Sequence, residues 1–157
     1  MDITLKKAEL RDCEEIHDMQ VKAFTDLLKK YQDYGTNPAA EDIEKVKRRM
    51  EQSFTDYYFI RMKDYNIGVI RIVREDENTC RISPLFIQPE YQGKGYAQQA
   101  ILQAENLYAH VKNWELDTIK QEKKLCYFYE KMGYRLTGKE ETIQEGMDIV
   151  FYKKNTK

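Results

Sequence analysis

Long apolar runs are missing from this sequence. No stretch approaches the ~18 residues that a membrane span requires. The opening MDITLKKAEL is charged early and has no apolar centre of a signal segment. Cysteine is scarce: Cys13, Cys80 and Cys126 form an odd, scattered set that makes neither a disulfide framework nor a zinc cluster. Reduced thiols in a cytoplasmic protein, with no metal and no membrane partner, are the expectation. A surplus of charge is missing too, with 26 Lys and Arg against 27 Asp and Glu. A general nucleic-acid binder normally carries a basic excess, so no nucleic-acid partner is expected. Glycine and proline are few, seven and three, so the places where they fall carry information. What remains is an ordinary soluble composition, 41% hydrophobic and 34% charged over 157 residues. That favours one domain, 1–157, around one core.

Periodicity predicts a mixed α/β layout in the order β-α-α-β-β-β-α-β-α-β-β. Ile3 to Lys7 alternates weakly, as an edge strand does. Ile16, Met19, Gln20, Ala23, Phe24, Leu27, Leu28 and Tyr31 share one helical face. Gly35 is expected to stop that helix, and Asn37-Pro38 to start the next, since asparagine caps and proline fits a first turn. Ile43, Val46 and Met50 form the stripe of this short second helix. Tyr57 to Met62, Ile67 to Arg74 and Thr79 to Ile87 read as an antiparallel meander. Ala97, Ala100, Ile101, Ala104, Leu107, Tyr108 and Val111 give a third helix. Glu115 to Ile119 is a short strand. Leu125, Phe128, Tyr129 and Met132 mark a fourth helix ending at Gly133. Tyr134 to Thr137 and Met147 to Tyr152 close the chain as a strand pair.

Two of the seven glycines stand in QPEYQGKGYAQQA, between the strand ending near Ile87 and the helix starting near Gly95. The first turn of a helix has N–H groups without intrahelical partners, and the helix dipole makes that end positive. Together they suit an anion, phosphate above all. Glycine removes side chains from the approach and permits the positive φ that lets successive N–H groups converge. Lys94 adds a positive charge at the rim. The plainer alternative is a tight turn in which glycine only relieves strain. Neither familiar phosphate loop fits. A dinucleotide fingerprint needs Gly or Ala where Gln98 stands, and a Walker loop needs Ser or Thr after its Gly-Lys.

A third pattern does fit. Gln92-Gly-Lys-Gly95-Tyr-Ala97 matches the Q/R-x-x-G-x-G/A signature of the GNAT superfamily of acetyl-coenzyme A-dependent N-acyltransferases. FIQPEYQGKGYAQQAI resembles that family's strand, proline, loop and helix. Phe128-Tyr-Glu-Lys-Met-Gly-Tyr134 resembles its second hallmark, an aromatic-Tyr-x-Lys-x-Gly-aromatic run. The order of elements matches over essentially the whole chain. The resemblance implies a mostly antiparallel sheet of about seven strands flanked by four helices, with a splayed parallel pair forming an acetyl-CoA cleft. It implies that the main chain of Gln92, Gly93, Lys94, Gly95, Tyr96 and Ala97 holds the diphosphate of acetyl-CoA. It also implies that Leu85, Phe86 and Ile87 bond the pantetheine arm like an added strand. A homodimer is expected on the same ground.

The residues bear on these roles independently. Pro84 interrupts RISPLFI; proline cannot donate to a ladder, so it marks an edge or a bulge, and the family has a bulge on this strand. Tyr129 matches the family tyrosine that faces the thioester sulfur. Its phenol, unperturbed at a pKa of ~10, is a proton donor at neutral pH, and Leu125 and Met132 put it on the apolar stripe of its helix. A core tyrosine is the plainer alternative. Glu122 and Leu125 stand where many family members have asparagine and alanine, which leaves the local cofactor contacts open. An alkylammonium near pKa ~10.4 must lose a proton before it attacks. Glu122 is the first candidate for the general base, followed by Asp117 and Glu115, and each is otherwise a solvated surface charge. His17 and His110 read as structural or exposed. Cys126 lies on a rotated face from Tyr129. Phe24, Tyr31, Tyr34, Tyr57 and Tyr58 are the aromatic candidates for the acceptor side.

The leading expectation is an N-acetyltransferase that moves an acetyl group to a primary amine, on a small molecule or a protein, in a ternary complex. The alternative is an acetyl-CoA-binding sensor or assembly module without amine turnover. Acylation of tRNA-bound amino groups would call for a basic channel, which the balanced charge disfavours.

Overall fold

The computed structural model describes residues 2–156. Its sheet has seven strands in the order β1-β2-β3-β4-β5-β7-β6. They are β1 (Thr4–Lys7), β2 (Thr55–Met62), β3 (Tyr65–Asp76), β4 (Thr79–Ile87), β5 (Asn113–Ile119), β6 (Arg135–Gln144) and β7 (Met147–Asn155). The α-helices are α1 (Cys13–Tyr31), α2 (Ile43–Met50), α3 (Tyr96–Leu107) and α4 (Lys123–Lys131). Strands buried on both faces need cover on both. In β2, Tyr57 and Phe59 join a core with Ile16, Met19 and Val46, the layer of α1 and α2. Tyr58 and Ile60 join the other core with Ala100, Ile101, Trp114 and Tyr129, the layer of α3 and α4.

Every neighbouring pair is antiparallel except β4 and β5. That parallel pair holds only at Thr79↔Asn113, Cys80↔Trp114 and Arg81↔Glu115. Past Arg81 the two strands share no further pairing, so the sheet opens there. On its other side β4 carries a bulge. Ile72 pairs with Ile82 and Ile70 with Leu85, leaving Ser83 and Pro84 opposite one residue, Arg71. The break expected at Pro84 is this bulge, and the Ser83-Pro84 peptide is cis. An extra residue inverts the alternation. Cys80 and Ile82 face the α3 side and so does Ile87, while Phe86 faces α1.

Some boundaries differ from the sequence reading. Helix α1 ends at Gln32, which adopts the left-handed conformation (φ 53°), three residues before Gly35. Asn37-Pro38 opens a single 3-10 turn, with the Asn37 side chain accepting from the Ala39 N–H. Asp42 caps α2 instead, accepting from the Lys45 N–H. Strand β6 runs to Gln144 rather than Thr137, because it is an exposed edge whose polar GKEET segment carries no hydrophobic alternation. Among the described residues, no helix is long and apolar enough to cross a membrane.

Candidate active site

The site begins at the foot of α3. Gly93 (φ 77°) and Gly95 (φ 83°) both lie in the left-handed region, where an L side chain is strained. A Cβ at either would meet nothing within 4 Å, so conformation and open approach, not crowding, call for glycine. Gly95 is the N-cap of α3 and no side chain caps it. The N–H groups of the first turn are therefore left to an external acceptor, at the positive end of the helix dipole. The side chain of Gln92 turns back, its Nε2 donating to the Ile87 carbonyl at 2.8 Å, and so pins the loop to the end of β4. Lys94 is exposed beside it. A phosphate or diphosphate fits this loop by charge, donor supply and space.

Tyr129 lies on α4 and joins the core on the α3 side of the sheet. Gly133 (φ 98°) ends this helix, with the Tyr134 N–H reaching the Tyr129 carbonyl at 3.0 Å. The Tyr129 ring meets Tyr134 and Tyr152 at 6.3 Å between centroids and is only 9% exposed. The hydroxyls of those neighbours are engaged, Tyr134 with Glu105 at 2.9 Å and Tyr152 with Glu130 at 2.7 Å. That of Tyr129 makes no hydrogen bond to the described residues. Burial, and then the charge of Asp117, push its pKa well above that of free tyrosine, so it keeps its proton at neutral pH.

Three carboxylates were candidates for the base, and their surroundings differ. Glu122 is tied to α1: its Oε2 accepts from Lys30 Nζ at 2.7 Å and from the Tyr31 hydroxyl. Its side chain is 19% exposed. Burial works against its charge, but the hydrogen bonds from Lys30 and Tyr31 outweigh that and hold the carboxyl below its ordinary range. Asp117 lies on β5, two residues past the last pair with β4, and 37% of its side-chain surface is exposed. Burial lifts its pKa above the usual carboxylate value, with Arg81, 3.0 Å away, pulling the other way. Glu115 is the more distant partner of Arg81, at 3.4 Å, and Glu75 is a third at 3.4 Å. Burial and the neighbouring Glu115 raise Glu75. Phe151 lies under Lys139 Nζ, 4.4 Å from its centroid, and under Arg81 at 5.9 Å.

The remaining candidates separate. Phe24 packs edge-on against Phe86 at 5.6 Å between centroids. Tyr31 is held by Glu122, Tyr34 is exposed, and Tyr57 is buried on the α1 side. Tyr58 points to the opposite layer, where its hydroxyl meets that of Tyr108 at 2.8 Å, because it follows Tyr57 on an alternating strand. His17 meets the Glu41 carbonyl through its Nε2 at 2.7 Å, and His110 is exposed. The thiol of Cys126 turns back to the Ile119 and Lys120 carbonyls. Lys30 and Arg81 escaped the sequence reading, since nothing local distinguishes them from other surface cations.

Comparison with known proteins gives the family and the fold. The family model described as an acetyltransferase (GNAT) domain matches residues 20–156. A spermidine N-acetyltransferase from Vibrio cholerae, solved with CoA and spermine, superposes with a TM-score of 0.76 at 18% identity, covering 98% of this chain and 95% of that one. An acetyltransferase from Thermus thermophilus gives 0.75 at 14% identity, covering 99% and 97%. The PaiA N-acetyltransferase from Thermoplasma acidophilum, solved with coenzyme A, gives 0.72 at 16% identity, covering 99% of each chain. No curated protein matches the sequence.

Proposed function

We propose, from the premise that this chain belongs to the GNAT family of acetyltransferases, that it transfers the acetyl group of acetyl-CoA to a primary amine by direct attack, with both substrates bound together. The observation that carries this reading is the parting of β4 and β5 right after Arg81↔Glu115, beside an uncapped and unobstructed helix start. The main chain of Gln92, Gly93, Lys94, Gly95, Tyr96 and Ala97 is assigned to the diphosphate, and that of Leu85, Phe86 and Ile87 to the pantetheine arm. Bound there, acetyl-CoA supplies an acyl group activated as a thioester.

The chain's own residues then divide the proton work. An ammonium must become an amine before it can attack. Asp117 suits that step better than Glu122. Its pKa is raised even with Arg81 Nη1 donating to its Oδ2 at 3.0 Å, which makes it the stronger base, whereas Lys30 and Tyr31 both donate to Oε2 of Glu122 and hold that carboxyl down. Main-chain N–H groups beside the β4 bulge are assigned the charge that develops on the acetyl oxygen. Tyr129, protonated at neutral pH and with a hydroxyl that bonds none of the described residues, is assigned donation to the sulfur that leaves as the C–S bond breaks. Glu75, Glu115, Asp117 and Glu141 gather around Arg81, Lys139 and Phe151 on the acceptor side. With spermine named in one structural relative, polyamines head the panel of acceptors.

The test is release of free CoA from acetyl-CoA over a panel of polyamines, amino acids, aminoglycosides and lysine peptides. The wild type is expected to turn over at least one. Tyr129→Phe and Asp117→Asn are expected to lose on the order of 100-fold in kcat each, with calorimetric affinity for CoA preserved. Tight acetyl-CoA binding with no CoA release from any amine would instead identify a sensor or assembly module.

A further inference from the structure

Arg71 sits where the β3–β4 ladder fails. It is the one residue of β3 opposite Ser83 and Pro84. Its side chain lies on the α1 side of the sheet beside Tyr57, its pairing partner on β2. The residue is 9% exposed. The guanidinium donates from Nη1 to the Ser83 carbonyl at 2.9 Å, from Nε to Thr55 Oγ1 at 2.9 Å and from Nη2 to Gln52 Oε1 at 3.0 Å. Its Cζ lies 5.8 Å from the centroid of the Tyr57 ring. All three acceptors are neutral, and Arg71 enters no ion pair among the described residues.

A buried guanidinium without a directly bonded carboxylate is a costly choice for a strand interior. Its neighbours on the same face of β3, Val69 and Val73, show what packing alone would select. The charge supplies what an apolar residue lacks, a rigid fork of N–H donors. The bulge needs such a fork. Pro84 has no N–H, and the two-against-one mismatch interrupts the ladder at Ser83 and Pro84. Arg71 takes the Ser83 carbonyl and ties it to β2 through Thr55 and to the α2–β2 connection through Gln52.

We propose that Arg71 is a positioning residue for acetyl transfer: its guanidinium locks the Ser83-Pro84 bulge and thereby sets the direction in which the Leu85 and Phe86 main chain faces the opening between β4 and β5. The proposal rests on the acetyltransferase reading for its catalytic consequence, but the locking itself is a property of the free protein. The bulge also fixes the inverted alternation that sends Phe86 toward α1 and Ile87 toward α3. A misplacement of about 1 Å at such a site is enough to lower a rate on the order of 100-fold.

Two variants test it. Arg71→Met keeps the length of the stem and removes both charge and fork; Arg71→Lys keeps the charge alone. Amide hydrogen exchange across residues 82–87, read without any substrate, is expected to speed up at Leu85 and Phe86 in both. In turnover, kcat is expected to fall at least tenfold in both, while CoA affinity at the α3 loop stays within about twofold and the melting temperature of Arg71→Met is unchanged or higher. A merely structural arginine would behave differently: Arg71→Lys would restore kcat, or the loss of kcat would track the loss of melting temperature. Unchanged exchange at Leu85 and Phe86 in folded Arg71→Met or Arg71→Lys overturns the proposal, whether or not any amine is turned over. Should Arg71→Met not fold, Gln52→Leu removes one of the three anchors from the edge of the site, and unaltered exchange there refutes the proposal equally. Failure of the acetyltransferase reading shows up separately, as a wild type that releases no CoA.

Discussion

Glu122 holds its charge between two side chains that lie a long way off in sequence, Lys30 and Tyr31. Because its folded pKa is depressed, the stability it contributes is fully present above its unfolded value near 4.5 and is lost as pH falls through the lower folded value. Glu122→Gln is therefore expected to lower the melting temperature by about 2–4 °C at pH 7. The gap from the wild type should narrow as the pH is taken below that unfolded value. Thermal scans at pH 7, 5 and 3.5 check this; a gap that persists unchanged at pH 3.5 refutes the charged-pair account. Asp117 runs the other way. Its raised pKa means that ionisation costs stability once pH rises through the folded value, so Asp117→Asn is not expected to destabilise the protein at pH 7 even as it loses activity. At this scale little was legible beforehand. The glycines and Tyr129 announce themselves because glycine and aromatic motifs are local. The Glu122–Lys30 and Arg71–Ser83 contacts join residues that no pattern along the chain connects.

The elements that build the site each depend on a small number of backbone positions. At the foot of α3, any side chain at Gly95 meets open space but a strained φ. Gly95→Ala should cost about 1–2 kcal/mol of stability for the left-handed backbone, with modest loss of CoA affinity. Gly95→Asp adds a negative charge against the diphosphate and is expected to weaken CoA binding by a further tenfold or more. Calorimetric titration separates the two, and equal affinities for the two variants would remove the anion site from the account. Gly68 is constrained by close approach instead: a Cβ there would lie 2.3 Å from the Phe86 carbonyl oxygen. The helices and the central meander were legible because periodic burial writes them into the sequence. The length of β6 was not, since an exposed edge has no buried face to impose alternation. The Asn37-Pro38 signal was genuine but is used by one 3-10 turn, because Asp42 offers α2 its own cap four residues before Val46 meets the core.

Across the whole molecule, the opening is held by side chains as much as by ladder bonds. Arg81 lies in the last parallel pair and reaches Glu75, Glu115 and Asp117, so it clasps β3, β4 and β5 at the apex of the gap. Arg71 braces the other edge of β4. A ligand seated in the gap binds the folded state alone and so stabilises it by mass action. Acetyl-CoA at about 100 times its Kd is expected to add ~2.7 kcal/mol, a rise of about 5–10 °C in melting temperature. The same concentration should give a markedly smaller rise with Gly95→Asp, and a wild type whose melting temperature ignores acetyl-CoA would defeat the cofactor assignment. The sequence by itself determined the order of elements, the open helix start and the break at Pro84, since each arises from backbone chemistry acting over a few neighbouring residues. Only the tertiary structure decided where β4 leaves β5, that Lys30 and Tyr31 meet Glu122, and that Arg71 reaches the Ser83 carbonyl. Those outcomes depend on distance and burial among residues brought together from separate parts of the chain, and a linear pattern records neither.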